Sequence, residues 1–185
     1  MSKGSAAGAH NTVALARQNA LQHFRWLDGD ADTWTMLANA ESLRAIVAGL
    51  AELVRADRPD VILGIESRGF VLGPAVAVHL GIGFIPVRKD GALFPGDVVR
   101  QETAPDYRGH RRALAARRDL LLPGQRVVLI DDWIETGSQA MASAQIVSAC
   151  GAELTAIAVI IDETSATSRA RLPPIHALVQ SHDLA

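Results

Sequence analysis

The sequence predicts an α/β fold in which a doubly wound, mostly parallel sheet carries helices on both faces. The first observation is that three short runs, residues 61–65, 84–87 and 126–130, are apolar throughout and do not alternate. Strands of this kind must be covered on both faces, as in parallel sheets. The second observation is that helix-like segments stand between these runs, and strands that alternate with helices build such a sheet.

The elements can be justified in order along the chain. Residues 41–56 place apolar side chains on one face at helical spacing and end before Pro59, which predicts an amphipathic helix. The strand at 61–65 runs into the polar loop Glu66-Ser67-Arg68-Gly69. Further helices are predicted at residues 71–80, 138–150 and 165–172, and further strands at residues 156–161 and 177–180.

One stretch, residues 89–118, lacks this patterning because glycine and proline interrupt it and arginine is frequent. A long irregular stretch inside a small domain is usually a lid, a binding loop or a disordered insertion. We therefore expect an irregular segment of one of these kinds.

Length and composition exclude several classes of protein. A chain of 185 residues has the length of one domain. Hydrophobic residues make up 49% and charged residues 21%, which excludes an unstructured polymer. Because 18 Lys and Arg face 20 Asp and Glu, the net charge is −2 and offers no basic field to nucleic acid. We expect no nucleic-acid partner.

Cysteine use and hydropathy indicate a cytoplasmic protein. The single Cys150 cannot form an internal disulfide, which fits a reducing compartment. The first residues contain no continuous apolar core of the kind that a signal peptide needs. The longest apolar stretch, residues 70–87, is interrupted by Gly73-Pro74 and Gly81, so we interpret it as buried core and expect no membrane partner.

The most informative segment is RVVLIDDWIETGSQ, residues 126–139. Ligands of parallel sheets collect at the carboxyl ends of the strands, so Asp131 and Asp132 emerge where a substrate would lie. Carboxylates there can accept hydrogen bonds from sugar hydroxyls or face a magnesium ion, and the following Thr136-Gly137-Ser138 can offer donors to a phosphate at a helix start. The alternative is that the acids merely end a strand and Ser138 merely caps a helix.

These residues resemble a known family. The apolar strand, the two acids and the Thr-Gly-Ser loop are similar to the signature of the type I phosphoribosyltransferases. The resemblance is closest to the adenine phosphoribosyltransferases, because residues 64–96, GIESRGFVLGPAVAVHLGIGFIPVRKDGALFPG, look like that branch's Asp-Ser-Arg-Gly-Phe segment and its Arg-Lys-x-Gly-x-x-Pro-Gly continuation. The resemblance runs from about residue 41 to the carboxyl end.

The resemblance implies an enzyme that moves the phosphoribosyl group of phosphoribosyl pyrophosphate onto a purine or purine-like base and releases pyrophosphate. It implies a homodimer and Mg²⁺ that is carried by the donor near Asp131 and Asp132, without dedicated protein ligands. It also implies a phosphoribosyltransferase-like core over residues 41–185, a flexible lid at about residues 89–118, and a divergent N-terminal hood on the base side over residues 1–40.

Roles follow by similarity for individual residues. The acid pair would hold the ribose hydroxyls, and the 5′-phosphate would be wrapped by Glu135, Thr136, Gly137, Ser138 and Gln139. The pyrophosphate would be contacted by Ser67, Arg68, Arg88, Lys89 and Tyr107, although the three basic side chains could instead form a solvated loop face. The predicted catalytic residues are Asp106, Asp132 and Glu135. Fixed charges of these kinds suit a cation-like sugar and a departing trianion.

The lid carries Asp106-Tyr107 in the place of a Glu-Tyr pair of the adenine enzymes, and closing it would exclude water from the reaction. The basic residues around it could neutralise pyrophosphate or form an exposed arm of a β-hairpin. They are Arg108, His110, Arg111, Arg112, Arg117 and Arg118.

The base side departs from the adenine branch. HFRWLDGDADTWTML, residues 23–37, stands where that branch has its Phe-Pro-x-Phe-Pro and Phe-Arg-Asp-Ile elements. Trp34 and Trp133 are candidates for stacking on a base, with core packing as the alternative. Glu135 replaces a small residue and Gln139 replaces a final Thr. Two other functions therefore stay open: a donor-sensing module without turnover, and a specialised-metabolism enzyme with an unusual acceptor.

Overall fold

The computed structural model describes residues 3–89, 94–104 and 111–184. Its α-helices are α1 (Lys3–His23), α2 (Trp34–Ala38), α3 (Ala40–Val54), α4 (Gly69–Leu80), α5 (Ser138–Ala149) and α6 (Ala166–Arg169). Its strands are β1 (Arg25–Leu27), β2 (Asp30–Asp32), β3 (Val61–Ile65), β4 (Gly83–Lys89), β5 (Val98–Glu102), β6 (Ala113–Arg117), β7 (Arg126–Ile134), β8 (Glu153–Asp162) and β9 (Ile175–Gln180).

The described residues form a seven-stranded sheet in the order β5-β6-β4-β3-β7-β8-β9. The five strands from β4 to β9 in this order are parallel. Strands β5 and β6 form an antiparallel hairpin that joins β4 where Arg88 lies opposite Ala115 and Lys89 opposite Leu114. Strands β1 and β2 pair separately as a short hairpin. The predicted mostly parallel sheet is confirmed.

The parallel strands are covered on both faces, as their uninterrupted apolar sequences predict. On one face, helices α1, α3 and α4 bury Ile62 and Val128 of the sheet. On the other face, α5 and the β5–β6 hairpin bury Leu63 and Leu129. No helix within the described ranges is long and apolar enough to cross a membrane.

The largest difference from the sequence prediction lies in residues 89–118. The expectation of an irregular stretch is wrong for Val98–Glu102 and Ala113–Arg117, which pair as β5 and β6. Each strand has only five residues, so the apolar periodicity was too short to reveal them. Residues 90–93 and 105–110 lie outside the described part of the chain.

Strand β7 also extends further than the predicted residues 126–130. It runs to Ile134 because β8 continues to pair with it as far as Ile134 opposite Asp162. Pairing with β3 on the other side stops at Gly64 opposite Ile130. From Asp131 onward, β7 therefore has a strand neighbour on one side only.

Helix α1 was not predicted from the sequence, and it packs on the core through small residues. Ala16 and Ala20 of α1 are buried against α3. A Cβ atom on Gly49 of α3 would stand 2.3 Å from the Cβ atom of Ala16, so the two helices touch at a glycine. The side chains on this face are too small to give the strong apolar periodicity that a sequence search relies on.

The same kind of contact fixes the start of α4 against β3. A Cβ atom on Gly64 would stand 2.3 Å from the carbonyl oxygen of Gly69 and 2.8 Å from the Phe84 ring. The missing side chain lets the loop after β3 turn back directly over the strand. This turn places the polar residues 66–68 at the carboxyl edge of the sheet.

We expect Gly64→Ala to destabilise the protein by about 2–3 kcal/mol, because backbone atoms of Gly69 must move to admit the new methyl group. Gly83→Ala is the matched control at the start of the neighbouring strand, where a Cβ would make only an ordinary 3.7 Å contact with Val61. Urea denaturation of both variants measures the difference. Equal unfolding free energies for the two variants would contradict this account.

Candidate active site

A cavity of about 350 Å³ opens where β3 and β7 stop pairing, at the carboxyl edge of the sheet. One wall is the loop after β3, with Glu66, Ser67 and Arg68. The opposite wall is the end of β7 and the start of α5, residues 131–140. Lys89 and Arg112 stand at a third side, and Ala31 and Thr33 of the N-terminal segment close a fourth.

The two acids lie side by side at the bottom of this cavity. The backbone N–H of Asp132 donates a 3.0 Å hydrogen bond to Oδ1 of Asp131. Oδ2 of Asp132 accepts a 2.6 Å hydrogen bond from the Thr33 hydroxyl and lies 3.3 Å from Nε of Arg68. Asp132 is buried, so these two groups replace solvent around its carboxylate.

Burial changes the protonation chemistry of the site. Burial, followed by the neighbouring charge of Asp132, raises the pKa of Asp131 well above its ordinary value. Burial lowers the pKa of Lys89; Asp131 opposes this change, and the charges of Arg112 and Arg68 add to it. Asp131 therefore holds its proton more tightly than a free carboxyl, and Lys89 holds its proton less tightly than a free amine.

The loop between β7 and α5 is built to approach an anion. Gly137 has a left-handed backbone (φ +73°) and precedes the first residue of the twelve-residue helix α5. Thr136 Oγ1 accepts a bond from the Ser138 N–H and donates to Ser138 Oγ at 3.1 Å, which holds the turn closed. The free N–H groups at the start of a helix favour a phosphate or carboxylate at this position.

The loop after β3 is tied to the end of β4 through Glu66. Its Oε2 accepts a 3.0 Å hydrogen bond from the backbone N–H of Lys89 and lies 3.7 Å from Nε of Arg88. The Glu66–Ser67 peptide bond is cis. Arg88 also stacks on the Phe94 ring, with its guanidinium carbon 5.7 Å from the ring centre. Glu66 thus keeps the two basic residues 88 and 89 next to the loop.

The two predicted stacking residues have different environments. Trp133 lines the cavity, donates from Nε1 to Glu163 at 3.0 Å, and packs against Phe24 and Trp26 with ring centres 6.2 Å away. Trp34 does not line the cavity; Arg68 lies over its ring at 5.3 Å from the centre. Trp133 anchors the N-terminal segment to β7, whereas Trp34 shields Arg68.

Comparison with known proteins gives the family of this fold and site. A model of the phosphoribosyl transferase domain matches residues 33–178, which include both walls of the cavity. The chain belongs to the phosphoribosyl transferase family. It is therefore a phosphoribosyltransferase, as the motifs at residues 64–96 and 126–139 indicated.

Named relatives narrow the branch of this phosphoribosyltransferase. An adenine phosphoribosyltransferase of Synechococcus sp. is 42% identical over 150 residues, covering 80% of this chain and 86% of the relative. One from Clostridium perfringens is 41% identical over 141 residues, covering 76% and 80%. The crystal structure of adenine phosphoribosyltransferase from Rhodothermus marinus superimposes with a TM-score of 0.80 at 33% identity, covering 90% of this chain and 99% of that one. The resemblance to the adenine branch is confirmed.

The structure of this phosphoribosyltransferase brings most of the predicted site residues together. Those that line the cavity are Ser67, Arg68, Lys89, Asp131, Asp132, Trp133, Glu135, Thr136, Gly137, Ser138 and Gln139. Arg88 and Trp34 lie beside it without lining it. The predicted catalytic Asp106 and the predicted pyrophosphate contact Tyr107 lie outside the described residues. Their roles stay predictions.

The basic residues of the β5–β6 hairpin divide between the two alternatives that the sequence left open. Arg112 reaches the cavity. Arg117 and Arg118 instead form surface ion pairs with Asp119 and Asp97. Arg108 and His110 are outside the described ranges.

Sequence reasoning missed Glu66 and Thr33 as cavity residues. Glu66 was detectable, because it opens the Glu-Ser-Arg-Gly-Phe segment that carries the family resemblance. Thr33 had no such signal, since it lies 99 residues before the aspartate that it contacts and in the divergent segment.

We expect Asp131→Asn to raise the melting temperature of the ligand-free protein at pH 8 by about 3 °C. In the unfolded chain this carboxyl titrates near 3.8, and burial raises its pKa in the folded chain. The stability that neutral Asp131 contributes is therefore present below pH 3.8 and lost as the pH rises through the folded-state pKa. The asparagine is neutral throughout, so its advantage should vanish near pH 4.

Thermal melts at pH 4 and pH 8 test this. Asp119→Asn is the control, because Asp119 is exposed and the Arg117 hydrogen bond lowers its pKa. That variant should show no gain at pH 8. If Asp131→Asn melts at a lower temperature than wild type at pH 8, then burial does not destabilise the charged form of Asp131 and the prediction is wrong.

We expect Gly137→Ala to weaken binding of a phosphorylated donor by at least about tenfold, since a Cβ there would stand 2.5 Å from Leu172 Cδ1 and would strain a left-handed backbone. Gly124→Ala is the matched control: its backbone is also left-handed (φ +79°), but a Cβ would meet no atom within 4 Å. Both variants should lose about 1 kcal/mol of stability from the backbone alone. Calorimetric titration with donor should show weaker binding in Gly137→Ala alone. A comparable loss of donor affinity in Gly124→Ala would contradict the role given to the Gly137 turn.

Proposed function

We propose that this phosphoribosyltransferase transfers the phosphoribosyl group of phosphoribosyl pyrophosphate to a ring nitrogen of adenine and releases pyrophosphate. The single observation that carries the proposal is that the acid pair Asp131–Asp132 lines one cavity with the left-handed Gly137 turn at the start of α5. This arrangement provides acceptors for a sugar diol next to donors for its 5′-phosphate. Adenine is the acceptor named for the relatives that are 40% identical or more over most of the chain.

Different residues of the cavity wall suit the ribose, the 5′-phosphate and the pyrophosphate of the donor. Asp131 and Asp132 would accept hydrogen bonds from the two ribose hydroxyls. The loop of residues 135–139 would bind the 5′-phosphate through backbone N–H groups and hydroxyls. Ser67, Arg68 and Lys89, joined by Arg112, would face the pyrophosphate, and Arg88 would support Lys89 from the same strand end. An arginine can bind two phosphate oxygens at once through its planar guanidinium.

The chemistry follows from these positions. A nitrogen lone pair of the base forms a bond to C1′ of the ribose as the bond from C1′ to the pyrophosphate oxygen breaks, and the pyrophosphate leaves with that electron pair. The carboxylate of Asp132 would stabilise the positive charge that develops on the sugar, and Arg68, Lys89 and Arg112 would stabilise the leaving group. The proton of the base nitrogen needs a carboxylate, for which we propose Glu135 or Asp106.

Magnesium fits this site as a companion of the donor. Mg²⁺ is usually bound by one or two carboxylates together with substrate phosphates and water. Asp131 and Asp132 would face a magnesium ion held by the donor's phosphates and water, without serving as its dedicated ligands. The described residues contain no group of three or more His, Cys, Asp or Glu arranged for a metal ion. Bound Mg²⁺ would neutralise diphosphate charge.

The residues that would face the acceptor base support a second candidate function, transfer to a heterocycle other than adenine. Ala31, Thr33 and Trp133 form that wall, and the first two come from the segment that departs from the adenine branch. Among the aromatic candidates, Trp133 is the one with access to a base, although its Nε1 is already bonded to Glu163. We also propose, from the family resemblance, a homodimer in the cytoplasm.

The experiment is to incubate the enzyme with phosphoribosyl pyrophosphate, Mg²⁺ and single bases: adenine, hypoxanthine, guanine, uracil and nicotinate. We expect pyrophosphate release with adenine at a rate at least about tenfold above every other base, because a site that hydrogen-bonds one base edge discriminates strongly against others. Another base in first place would support the second candidate. Tight donor binding without any release would indicate a sensing module instead.

Two double variants serve as controls in this assay. Asp131→Asn/Asp132→Asn should lose turnover by about a hundredfold or more while remaining folded. Asp97→Asn/Asp119→Asn removes the same charge from exposed ion pairs away from the cavity and should retain wild-type rates. Wild-type turnover in the first variant would refute the site.

A further inference from the structure

The Thr33 hydroxyl joins the N-terminal segment to the acid pair. Thr33 precedes α2, is 1% exposed, and donates a 2.6 Å hydrogen bond to Oδ2 of Asp132, which is itself 7% exposed. Both residues are buried in the cavity wall, so this bond competes little with solvent in the free protein. Hydrogen bonds to a charged acceptor are shorter and stronger than neutral ones, and this length is typical of that class.

Thr33 and Arg68 approach the same oxygen of Asp132, but they do different things there. Arg68 Nε lies 3.3 Å away as an ion pair and makes no hydrogen bond to any described residue. An ion pair of this kind attracts the carboxylate without fixing its rotation. The Thr33 bond is directional and selects one orientation of the carboxylate about its last side-chain torsion.

We propose that Thr33 is a positioning residue: by holding Oδ2 of Asp132, it turns the other oxygen, Oδ1, toward a ribose hydroxyl of the donor. This inference rests on the proposed function. It assigns a donor-side role to a residue of the segment that otherwise forms the acceptor wall, and so it couples the two substrate sites through one hydrogen bond.

The test compares Thr33→Val, which keeps the shape and loses the hydroxyl, with Thr33→Ser, which keeps the hydroxyl. Calorimetric titration with phosphoribosyl pyrophosphate and Mg²⁺ gives donor affinity, and steady-state kinetics with adenine gives both KM values. We expect Thr33→Val to weaken donor binding and raise the donor KM by about tenfold, with the adenine KM within about twofold of wild type. Thr33→Ser should restore donor binding to within about threefold of wild type.

Thr35→Val is the matched control for loosening of the same segment. Thr35 lies two residues further along, is exposed, and also bonds an aspartate, Asp32, but it does not line the cavity. Its loss should leave donor affinity unchanged. Equal losses in Thr33→Val and Thr35→Val would overturn the proposal, because they would show a general effect of the segment.

A double-mutant cycle with Asp132→Asn separates positioning from packing. If Thr33 acts through Asp132, Thr33→Val should change donor affinity less than about twofold in the Asp132→Asn background. A full tenfold effect in that background, or wild-type affinity of Thr33→Val alone, would overturn the inference and leave the proposed function standing. A wild-type enzyme that neither binds the donor nor releases pyrophosphate would overturn both.

Discussion

The rest of the site depends on two adjacent carboxylates near the carboxyl end of β7, because they need partners from other parts of the chain. Asp131 and Asp132 stand where β7 has lost β3 as a neighbour, so the sheet itself offers them no partners on that side. Charges placed in such a position need hydrogen bonds or counter-charges. Three separate parts of the chain supply them: Thr33 from the N-terminal segment, Arg68 from the loop after β3, and Lys89 from the end of β4.

The N-terminal segment is attached to the acids by an apolar and a polar contact. The apolar contact is the aromatic group of Phe24, Trp26 and Trp133, in which the Trp133 ring comes from β7 itself. The polar contact is the bond from Thr33 to Asp132. Since both contacts end on consecutive residues of β7, a shift of the segment must displace the residues that we propose face the sugar. The proposed acceptor and donor sites are therefore linked through β7.

How well the sequence predicts each feature of this protein depends on how far apart in the chain the interacting residues lie. Strand β3 and the loop of residues 135–139 were predictable because apolar runs and glycine-containing turns act within a few residues. Helix α1 and the bond from Thr33 to Asp132 were not, because they depend on a glycine contact and on a pairing across 99 residues. Local pattern thus indicated the walls of the cavity that β3, β7 and α5 form, whereas the contribution of the N-terminal segment required the tertiary structure.

The basic side chains of the cavity are the part of the site that suits the polyanionic donor we propose. Lys89 loses affinity for its proton because it is buried and because Arg112 and Arg68 are near, and Asp131 compensates only in part since its own pKa is raised. Three basic side chains, Arg68, Lys89 and Arg112, therefore lie close together at this cavity beside its carboxylates. A bound diphosphate would favour the protonated lysine and pair with the arginines. If the proposed donor binds here, its leaving group would thus relieve the repulsion among these basic side chains.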